Sequence, residues 1–297
     1  MRVATKSLYQ GIQQRILNLS SALKKVNEKV ASGKNFSRPS DAPVSMVSAL
    51  GLRTTLSHIE QYQRNMEIGK LWLNLSETAI NQTSGLADRA QKIALQMSNG
   101  TQMEETRAIL AAEVGHLLDQ AISLGNTQLA GKYIFAGYRT RTAPFSRTTV
   151  GGIETAEYRG DANDFEIRIG KDEKVSVGKN GQAVFVDTGL FDALGTLKAA
   201  IENNDVNLIR QQAGILQQVE DSLNIRLADV GIRQNRLMGK QEVLATLNKN
   251  IQDRLADTEN IDYARAILEL KERQTAYEVA LAASAKISEL SLQDYLR

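Results

Sequence analysis

The chain has 297 residues, enough for one large domain or for two to three smaller ones. Aromatic residues make up only 5 % of it and there are three prolines, a composition that favours long helices with narrow apolar stripes over a thick globular core. The net charge of +2 gives no case for a nucleic-acid partner, and the lack of cysteine excludes disulfides, thiolate catalysis and cysteine metal sites within this chain.

No stretch of the sequence approaches the roughly 18–20 consecutive apolar residues of a membrane-spanning helix. Residues 1–20 also lack the unbroken apolar core of a secretory signal peptide. We therefore expect no membrane span, and we expect any export from the cell to use another route.

Residues 12–30 carry a heptad pattern of apolar side chains. The pattern has spacings of 4, 3, 4, 3 and 4 residues, and its members are Ile12, Ile16, Leu19, Leu23, Val26 and Val30. Such spacing keeps a narrow apolar seam on one side of a helix, as in coiled coils. Because the other positions are polar, we expect the helix to be marginal alone and to need a partner that covers the seam. An ordinary surface helix on a globular domain is the alternative interpretation.

A glycine and two prolines predict where this helix ends and where the next begins. Gly33 stands where a left-handed C-cap belongs, and Pro39 and Pro43 make the connection semi-rigid. We expect Ser40 or Asp41 to cap the second helix, with Pro43 in its first turn.

Two further helices are predicted, over about 44–98 and about 104–130. The first has an apolar stripe with several small members, so that a partner helix can approach closely. The stripe consists of Tyr62, Met66, Leu73, Ile80, Ala87, Ala90, Ala94 and Met97.

The hydrophobic period changes at Gly131. Short apolar runs with period-two alternation follow to about residue 177, and with Asn180-Gly181 as a turn they predict antiparallel strands. Five of the six phenylalanines lie between Phe135 and Phe191. We therefore expect a conventional compact core in this region and none in the helical arms.

The helical pattern returns near Leu190 and continues to the end of the sequence. Its last part contains a second seam with spacings of 4, 3, 4, 3, 4 and 3 residues: Tyr263, Ile267, Leu270, Gln274, Tyr277, Leu281 and Ser284. The sequence thus predicts a mainly α fold with a small β-rich insertion. The N- and C-terminal regions form long antiparallel coiled-coil arms, and the insertion forms an outer antiparallel β domain. We expect the two seams to pair with each other or with other subunits.

The two ends of the chain also differ in charge. Residues 1–60 contain nine basic and three acidic residues, net +6, and residues 258–297 contain five and seven, net −2. Attraction between the ends would act only at short range, because physiological salt screens charges beyond about 8 Å.

The residue constellations of common enzymes are missing from the sequence. His58 and His116 have no companion ligand at i+3 or i+4, so a solvated or packing role is expected for each. Residues 125–132 resemble a phosphate-binding loop, but they contain one residue too many between the glycines. In addition, Tyr133 replaces the Ser or Thr that would bind Mg²⁺.

An acidic cluster at Asp161, Asn163 and Asp164 resembles a calcium loop but lacks its downstream Glu and central Gly. A turn between two strands is the better interpretation. We therefore predict that the chain is not an enzyme, with no catalytic residue, no cofactor and no metal.

Several short segments match a known family: residues 31–34 with 38–43, 131–137 with 142–145, 158–161, 230–237 and 290–296. In these segments, and over nearly its whole length, the chain resembles the bacterial flagellin superfamily. The proline-containing turn and the segment after Gly131 are similar to the members of that superfamily that form the junction between hook and filament.

The resemblance implies a structural adapter that connects the first hook-associated protein to the flagellin filament. It implies four partners: further copies of the chain in a ring, the first hook-associated protein, flagellin, and a cytoplasmic export chaperone that binds the C-terminal region. It also implies secretion through the flagellar type III apparatus to the extracellular flagellum, where the terminal helices pack together.

With this resemblance we expect five segments. Residues 1–43 form an N-terminal assembly helix and linker, 44–137 a helical arm, 138–188 the β-rich outer domain, 189–258 a returning arm and 259–297 a C-terminal assembly helix. The first and last segments make an inner domain, and the two arms make a middle domain. The predicted assembly interface consists of Ile12, Ile16, Leu19, Leu23, Val26 and Val30 with Tyr263, Ile267, Leu270, Tyr277 and Leu281.

Three other functions stay open at this point. The chain could be a short or minor flagellin that forms the filament itself, although its outer domain is smaller than those of many flagellins. It could also be a cytoplasmic coiled-coil binding module or regulator. An enzyme with an unrecognised site is the remotest alternative.

Overall fold

The structure is a computed structural model that describes residues 2–99 and 102–295, with side chains for 10–99 and 102–286. Within these residues the chain forms six α-helices: α1 (Arg2–Ser32), α2 (Pro43–Met97), α3 (Glu104–Gly125), α4 (Leu190–Glu202), α5 (Val206–Glu259) and α6 (Tyr263–Tyr295). Six short strands lie between α3 and α4: β1 (Gln128–Leu129), β2 (Lys132–Tyr133), β3 (Phe145–Val150), β4 (Ile153–Tyr158), β5 (Phe165–Arg168) and β6 (Lys174–Gly178). The predicted mainly α fold with a small antiparallel β insertion is confirmed. No helix among the described residues is long and apolar enough to span a membrane.

The boundary between α1 and α2 follows the sequence signals. Gly33 has a φ of +67°, the left-handed C-cap conformation, and Pro43 is the first residue of α2. The prediction that Ser40 or Asp41 caps α2 is wrong. Ala42 holds the N-cap position, since its carbonyl accepts the first helical hydrogen bond, from the Met46 N–H at 2.9 Å. Asp41 instead closes the preceding turn, because its carboxylate accepts the Arg38 N–H at 3.2 Å.

Helix α3 ends five residues before the predicted boundary at 130. Asn126, the residue after α3, uses its side-chain amide to bind the backbone of Phe145, donating to the carbonyl at 2.9 Å and accepting the N–H at 3.0 Å. Gly125 lies against the Phe145 ring, and a Cβ there would approach Cδ2 to 2.5 Å. The helix therefore stops where its end is fixed to the β region.

Each strand pairs with its neighbour in an antiparallel hairpin: β1 with β2, β3 with β4, and β5 with β6. The turn between β3 and β4 is Gly151-Gly152, and both residues have positive φ, as tight hairpin turns require. The predicted Asn180-Gly181 turn does not connect strands. It leads from β6 into a π-helix (Gln182–Val186), and the Asn180 side chain accepts the Ala183 N–H at 2.9 Å.

The chain divides into two compact units, Met1–Ser57 with Leu247–Arg297 and His58–Thr246. The division into five segments is a different partition and stays a prediction. In the second unit, α2 and α5 run antiparallel, since Gln91 bonds to Gln217 at 2.8 Å and Gln241 bonds to Glu67 at 2.7 Å.

The core of the second unit joins the β region to the helices. In its aromatic cluster the Phe185 ring centroid lies 4.9 Å from that of Phe135 and 5.4 Å from that of Phe145. The Trp72 ring of α2 stacks on Phe165 at 4.4 Å and donates its Nε1–H to the Ile134 carbonyl at 3.2 Å. The expectation that the helical arms lack a compact core is therefore wrong for α2. Its apolar stripe is buried apart from the half-buried Tyr62.

Candidate assembly interface

The terminal helices α1 and α6 pack together as an antiparallel pair. The pair begins at a short backbone bridge, in which the Ile261 N–H donates to the Gly33 carbonyl at 3.1 Å and the Asn35 N–H donates to the Glu259 carbonyl at 2.7 Å. A side chain at Gly33 would collide with the hydroxyl of Tyr263. The predicted pairing of the N- and C-terminal regions is confirmed within one chain.

A buried carboxylate fixes this bridge. The Glu259 side chain is 4 % exposed, and it accepts hydrogen bonds from Lys34 Nζ and from Arg53 Nη2, both at 2.8 Å. Burial alone would raise the pKa of Glu259, but the bonds from Arg53 and Lys34 outweigh it and hold the pKa below its ordinary value. One carboxylate therefore ties together the end of α5, the turn after α1 and the first part of α2.

The predicted N-terminal seam faces α6. Val26 is buried, at 5 % exposure, and Ile12, Ile16, Leu19, Leu23 and Val30 are all half-buried. Leu17, which lies outside the heptad, is 57 % exposed. The 4–3 spacing thus identifies the side of α1 that contacts another helix.

The predicted C-terminal seam has two different environments. Leu270 and Tyr277 are half-buried, whereas Tyr263, Ile267 and Leu281 are exposed by 55, 54 and 43 %. The less exposed side of α6 is Ala266, Leu270, Tyr277, Ala280 and Ser284, so it is rotated from the predicted seam. As an assembly interface, the two predicted residue sets remain a prediction.

Sequence reasoning missed the buried residues Phe36, Ile261 and Ala266. Ala266 was detectable, because it precedes Leu270 by four residues and Tyr277 follows Leu270 by one heptad, which puts all three on one side of the helix. Small residues such as Ala266 contribute little to a hydrophobic pattern in the sequence, although they allow two helices to pack closely.

An apolar groove runs along the outer side of α6, away from the α1 contact. Leu268 and Val279 line it at 67 and 62 % exposure, together with Thr275, Ala276 and Ala283. The charged Lys271 and Glu272 complete its lining. The helix pair therefore leaves some apolar surface exposed on α6.

The 158–161 motif has a structural role. The Tyr158 hydroxyl lies 3.0 and 2.8 Å from the carbonyl oxygens of Phe135 and Asp161, which share its single proton. The Asp161 carboxylate accepts the N–H groups of Tyr138 and Asn163, both at 2.9 Å, and only a glycine fits at Gly137 beside it. The acidic cluster is a turn, as predicted. Among the described residues no group of three His, Asp or Glu side chains is arranged to hold a metal.

Two family models match the sequence. The bacterial flagellin N-terminal helical region matches residues 3–140, and the bacterial flagellin C-terminal helical region matches residues 213–296. Together they cover more than half of the chain. The chain belongs to the bacterial flagellin family. The last of the motif segments, 290–296, belongs to this match, but its side chains lie outside the described residues.

Curated members of this family align over most of their length. Flagellar hook-associated protein 3 of Escherichia coli is 26 % identical over 98 % of both chains, and that of Salmonella typhimurium is 27 % identical over 72 % of both. Flagellin FlaB1 of Treponema pallidum is 23 % identical over 91 % of both chains. These relatives are structural proteins of the flagellum.

Solved structures share the fold. A flagellar hook-associated protein from Vibrio parahaemolyticus superposes with a TM-score of 0.66 at 21 % identity, covering 74 % of this chain and all of that one. FlgL of Bacillus cereus has a TM-score of 0.59 at 23 % identity, with 69 and 99 % coverage. The flagellar junction protein FlgL from Legionella pneumophila has a TM-score of 0.52 at 16 % identity, with 73 and 99 % coverage.

Proposed function

We propose that this flagellin-family chain is the structural adapter of the hook-filament junction and has no enzymatic activity. The observation that carries the proposal is the alignment with hook-associated protein 3 of Escherichia coli over 98 % of both chains. An alignment of that extent supports a shared architecture over nearly all of both sequences.

The proposed partners follow from this position. One side of a ring of identical subunits contacts the first hook-associated protein, and the other side contacts flagellin. Before export, a cytoplasmic chaperone covers the C-terminal region. Export proceeds through the flagellar type III apparatus, and the protein acts outside the cell.

The apolar surface of the terminal helices supports assembly after export. The α6 groove and the half-buried seam of α1 leave large apolar side chains in contact with water. A neighbouring subunit that covered this surface would gain roughly 25 cal/mol for each Å² of apolar area buried. Folding costs roughly 1–2 kcal/mol of backbone entropy per residue. The narrow contact between α1 and α6 offsets only a small part of that cost. The α1–α6 pair is therefore suited to gain stability from neighbouring subunits that cover it.

Deletion of the gene tests the proposal. Electron microscopy of the deletion strain should show hooks without filaments, with flagellin monomers in the medium, and the wild-type gene should restore filaments. Full-length filaments in the deletion strain would contradict the adapter function.

A minor flagellin is the second candidate, favoured by the full-length alignment with flagellin FlaB1. That function predicts filaments of altered stiffness or length in the deletion strain, and it predicts the protein along the filament shaft.

A further inference from the structure

A polar cavity lies between the last turns of α1 and the turn that follows it. Its volume is about 360 Å³; α1 forms one wall and residues of the segment 34–41 form the other. Binding cavities in proteins measure roughly 300–1,000 Å³, so this one is large enough to hold a ligand. It is smaller than one turn of an α-helix with its side chains, which limits the ligand to a small molecule or a short extended segment.

Contacts outside the cavity fix the wall that the turn provides. The Phe36 side chain is buried, at 7 % exposure. Lys34 Nζ donates to Glu259 at 2.8 Å and to the Asn260 side chain at 3.1 Å. The cavity is therefore formed before a ligand arrives, which lowers the entropy cost of binding.

The cavity and the α6 contact lie on opposite sides of α1. At 100° per residue, the α1 residues that line the cavity are centred about 170° around the helix from the seam at 12–30. These lining residues are Ser21, Lys24, Lys25, Glu28, Lys29 and Ser32. Pairing of α1 with α6 therefore leaves the cavity accessible.

The cavity carries an excess of positive charge. Five basic and two acidic residues line it, net +3. Lys24 lies 3.9 Å from Glu28, but both side chains are exposed, and an exposed ion pair contributes little. Among the side chains that the structure describes, Lys25, Lys29 and Arg38 form no ion pair. A concave surface with one sign of charge attracts ligands of the opposite sign.

The acidic end of the chain does not neutralise these cations. In the described part of the C-terminal segment, residues 258–286, Glu259 is the one carboxylate that pairs with cations of residues 10–60, namely Lys34 and Arg53. The basic excess at the start of the sequence is therefore only partly paired within the chain, and part of it lines this cavity.

The positions of the three cations suit an extended acidic segment. Lys25 and Lys29 are one helical turn apart, about 5–6 Å between Cβ atoms. Side chains on one face of an extended peptide are about 6.6 Å apart, so carboxylates at alternate positions match that spacing. Arg38, on the other wall, adds a planar guanidinium that binds a carboxylate through two N–H groups.

We propose that this cavity binds an acidic segment of a partner protein. Two carboxylates at alternate positions of the segment meet Lys25 and Lys29, and a third meets Arg38. The site lies within one chain and goes beyond the proposed function, so it stands or falls independently of the position of the protein in the flagellum.

Binding of hexaglutamate to the purified full-length protein tests the site. The peptide carries a neutral fluorophore, and its anisotropy is measured at low salt, about 50 mM, where screening is weak. The test variant is Lys25→Gln/Arg38→Gln. The matched control is Arg15→Gln/Lys249→Gln, which removes the same charge from exposed positions of the same unit outside the cavity. Circular dichroism verifies that both variants keep their helix content.

We expect the wild type to bind hexaglutamate, and we expect the Kd to rise at least tenfold in Lys25→Gln/Arg38→Gln, because two charged hydrogen bonds are lost. The control should change the Kd by less than about twofold. No binding by the wild type would overturn the proposal, and so would an equal loss in both variants, which would indicate attraction by the overall charge.

Competition with inorganic phosphate separates an acidic segment from a small anion. Unlabelled hexaglutamate should displace the probe at a far lower concentration than phosphate does, because it engages all three cations at once. Displacement by phosphate at an equal or lower concentration would overturn the acidic-segment proposal and identify a site for small anions.

Discussion

At the scale of single residues, the two units depend on different polar groups. In the terminal unit the buried Glu259 holds Lys34 and Arg53 at the start of the helix pair. In the other unit the Tyr158 hydroxyl and the Asp161 carboxylate close the turns around Phe135 and Gly137. Removing one partner from such a buried network leaves the others without hydrogen bonds, and that loss costs more than an exposed ion pair contributes.

Glu259→Gln should weaken the bridge between α1 and α6. Because the amide cannot serve both cations as an ion pair, we expect the free energy of local opening to fall by about 1–3 kcal/mol. Hydrogen exchange of the Asn35 and Ile261 amides, which form the bridge, measures this change. Glu269→Gln is the control, because its partner Arg273 and Glu269 itself are both over 40 % exposed, and a change below about 0.5 kcal/mol is expected.

The same carboxylate predicts a pH dependence. The pKa of Glu259 is lower in the folded protein than the roughly 4.3 of a free Glu side chain, so its stabilising contribution is complete above that value. The contribution is lost as the pH falls through the folded-state pKa. Protection of the Ile261 amide should therefore drop on acidification below about pH 4 in the wild type, and Glu259→Gln should show a flatter profile. Equal pH profiles would contradict this role.

Tyr158→Phe should destabilise the second unit by about 1–3 kcal/mol, because the Asp161 carbonyl loses its donor and the Phe135 carbonyl keeps only the Gly181 N–H. Urea unfolding followed by the fluorescence of Trp72, the single tryptophan, measures this unit. Tyr138→Phe removes a hydroxyl from a 56 % exposed side chain and should change the stability by less than about 0.5 kcal/mol.

At the scale of helices and strands, the sequence predicted more of the fold than of the interfaces. Heptad spacing identified the side of α1 that contacts α6, because only one side of that helix is apolar. On α6 the same reasoning found Leu270 and Tyr277 of the less exposed side but missed Ala266, which packs inward next to the outward-pointing Ile267. When a helix has apolar residues on several sides, its sequence shows no single hydrophobic period. The side that packs inward is then determined by the partner helix. Trp72 was not singled out either, because a side chain that bonds to a distant carbonyl leaves no local pattern.

Ile16→Asp and Leu281→Asp should both block incorporation into flagella, but for different reasons. Ile16 is half-buried against α6, so a carboxylate there should separate the helix pair and lower the helix content of the purified monomer. Leu281 is 43 % exposed, so Leu281→Asp should leave the monomer unchanged and act only on assembly. Circular dichroism and the amount of protein in sheared flagella separate the two effects.

Gln14→Asp, at an exposed polar position of α1, is the matched control and should assemble normally. Trp72 fluorescence should be the same in all three variants, because the second unit is untouched. Normal flagella from Ile16→Asp or Leu281→Asp would show that the predicted seams are not the assembly interface.

At the scale of the whole molecule, the chain combines one well-packed unit with a second unit that leaves apolar surface exposed. The His58–Thr246 unit buries Trp72 and four of its five phenylalanines. The terminal unit has a thin seam, one buried ion-pair cluster and an open groove on α6. That division suits a subunit that is folded in one part and completed in another by its neighbours. Heptads alone do not indicate a position along the flagellum, since any filament protein can have them. The proposed position rests on the alignment with hook-associated protein 3.

Immunogold electron microscopy of intact flagella, with an antibody against the β3–β4 hairpin, tests the central claim most directly. A junction adapter predicts gold confined to a narrow band where the hook meets the filament. Gold distributed along the filament shaft would contradict the adapter function and identify a flagellin. Gold restricted to the cell interior would contradict any structural role in the flagellum.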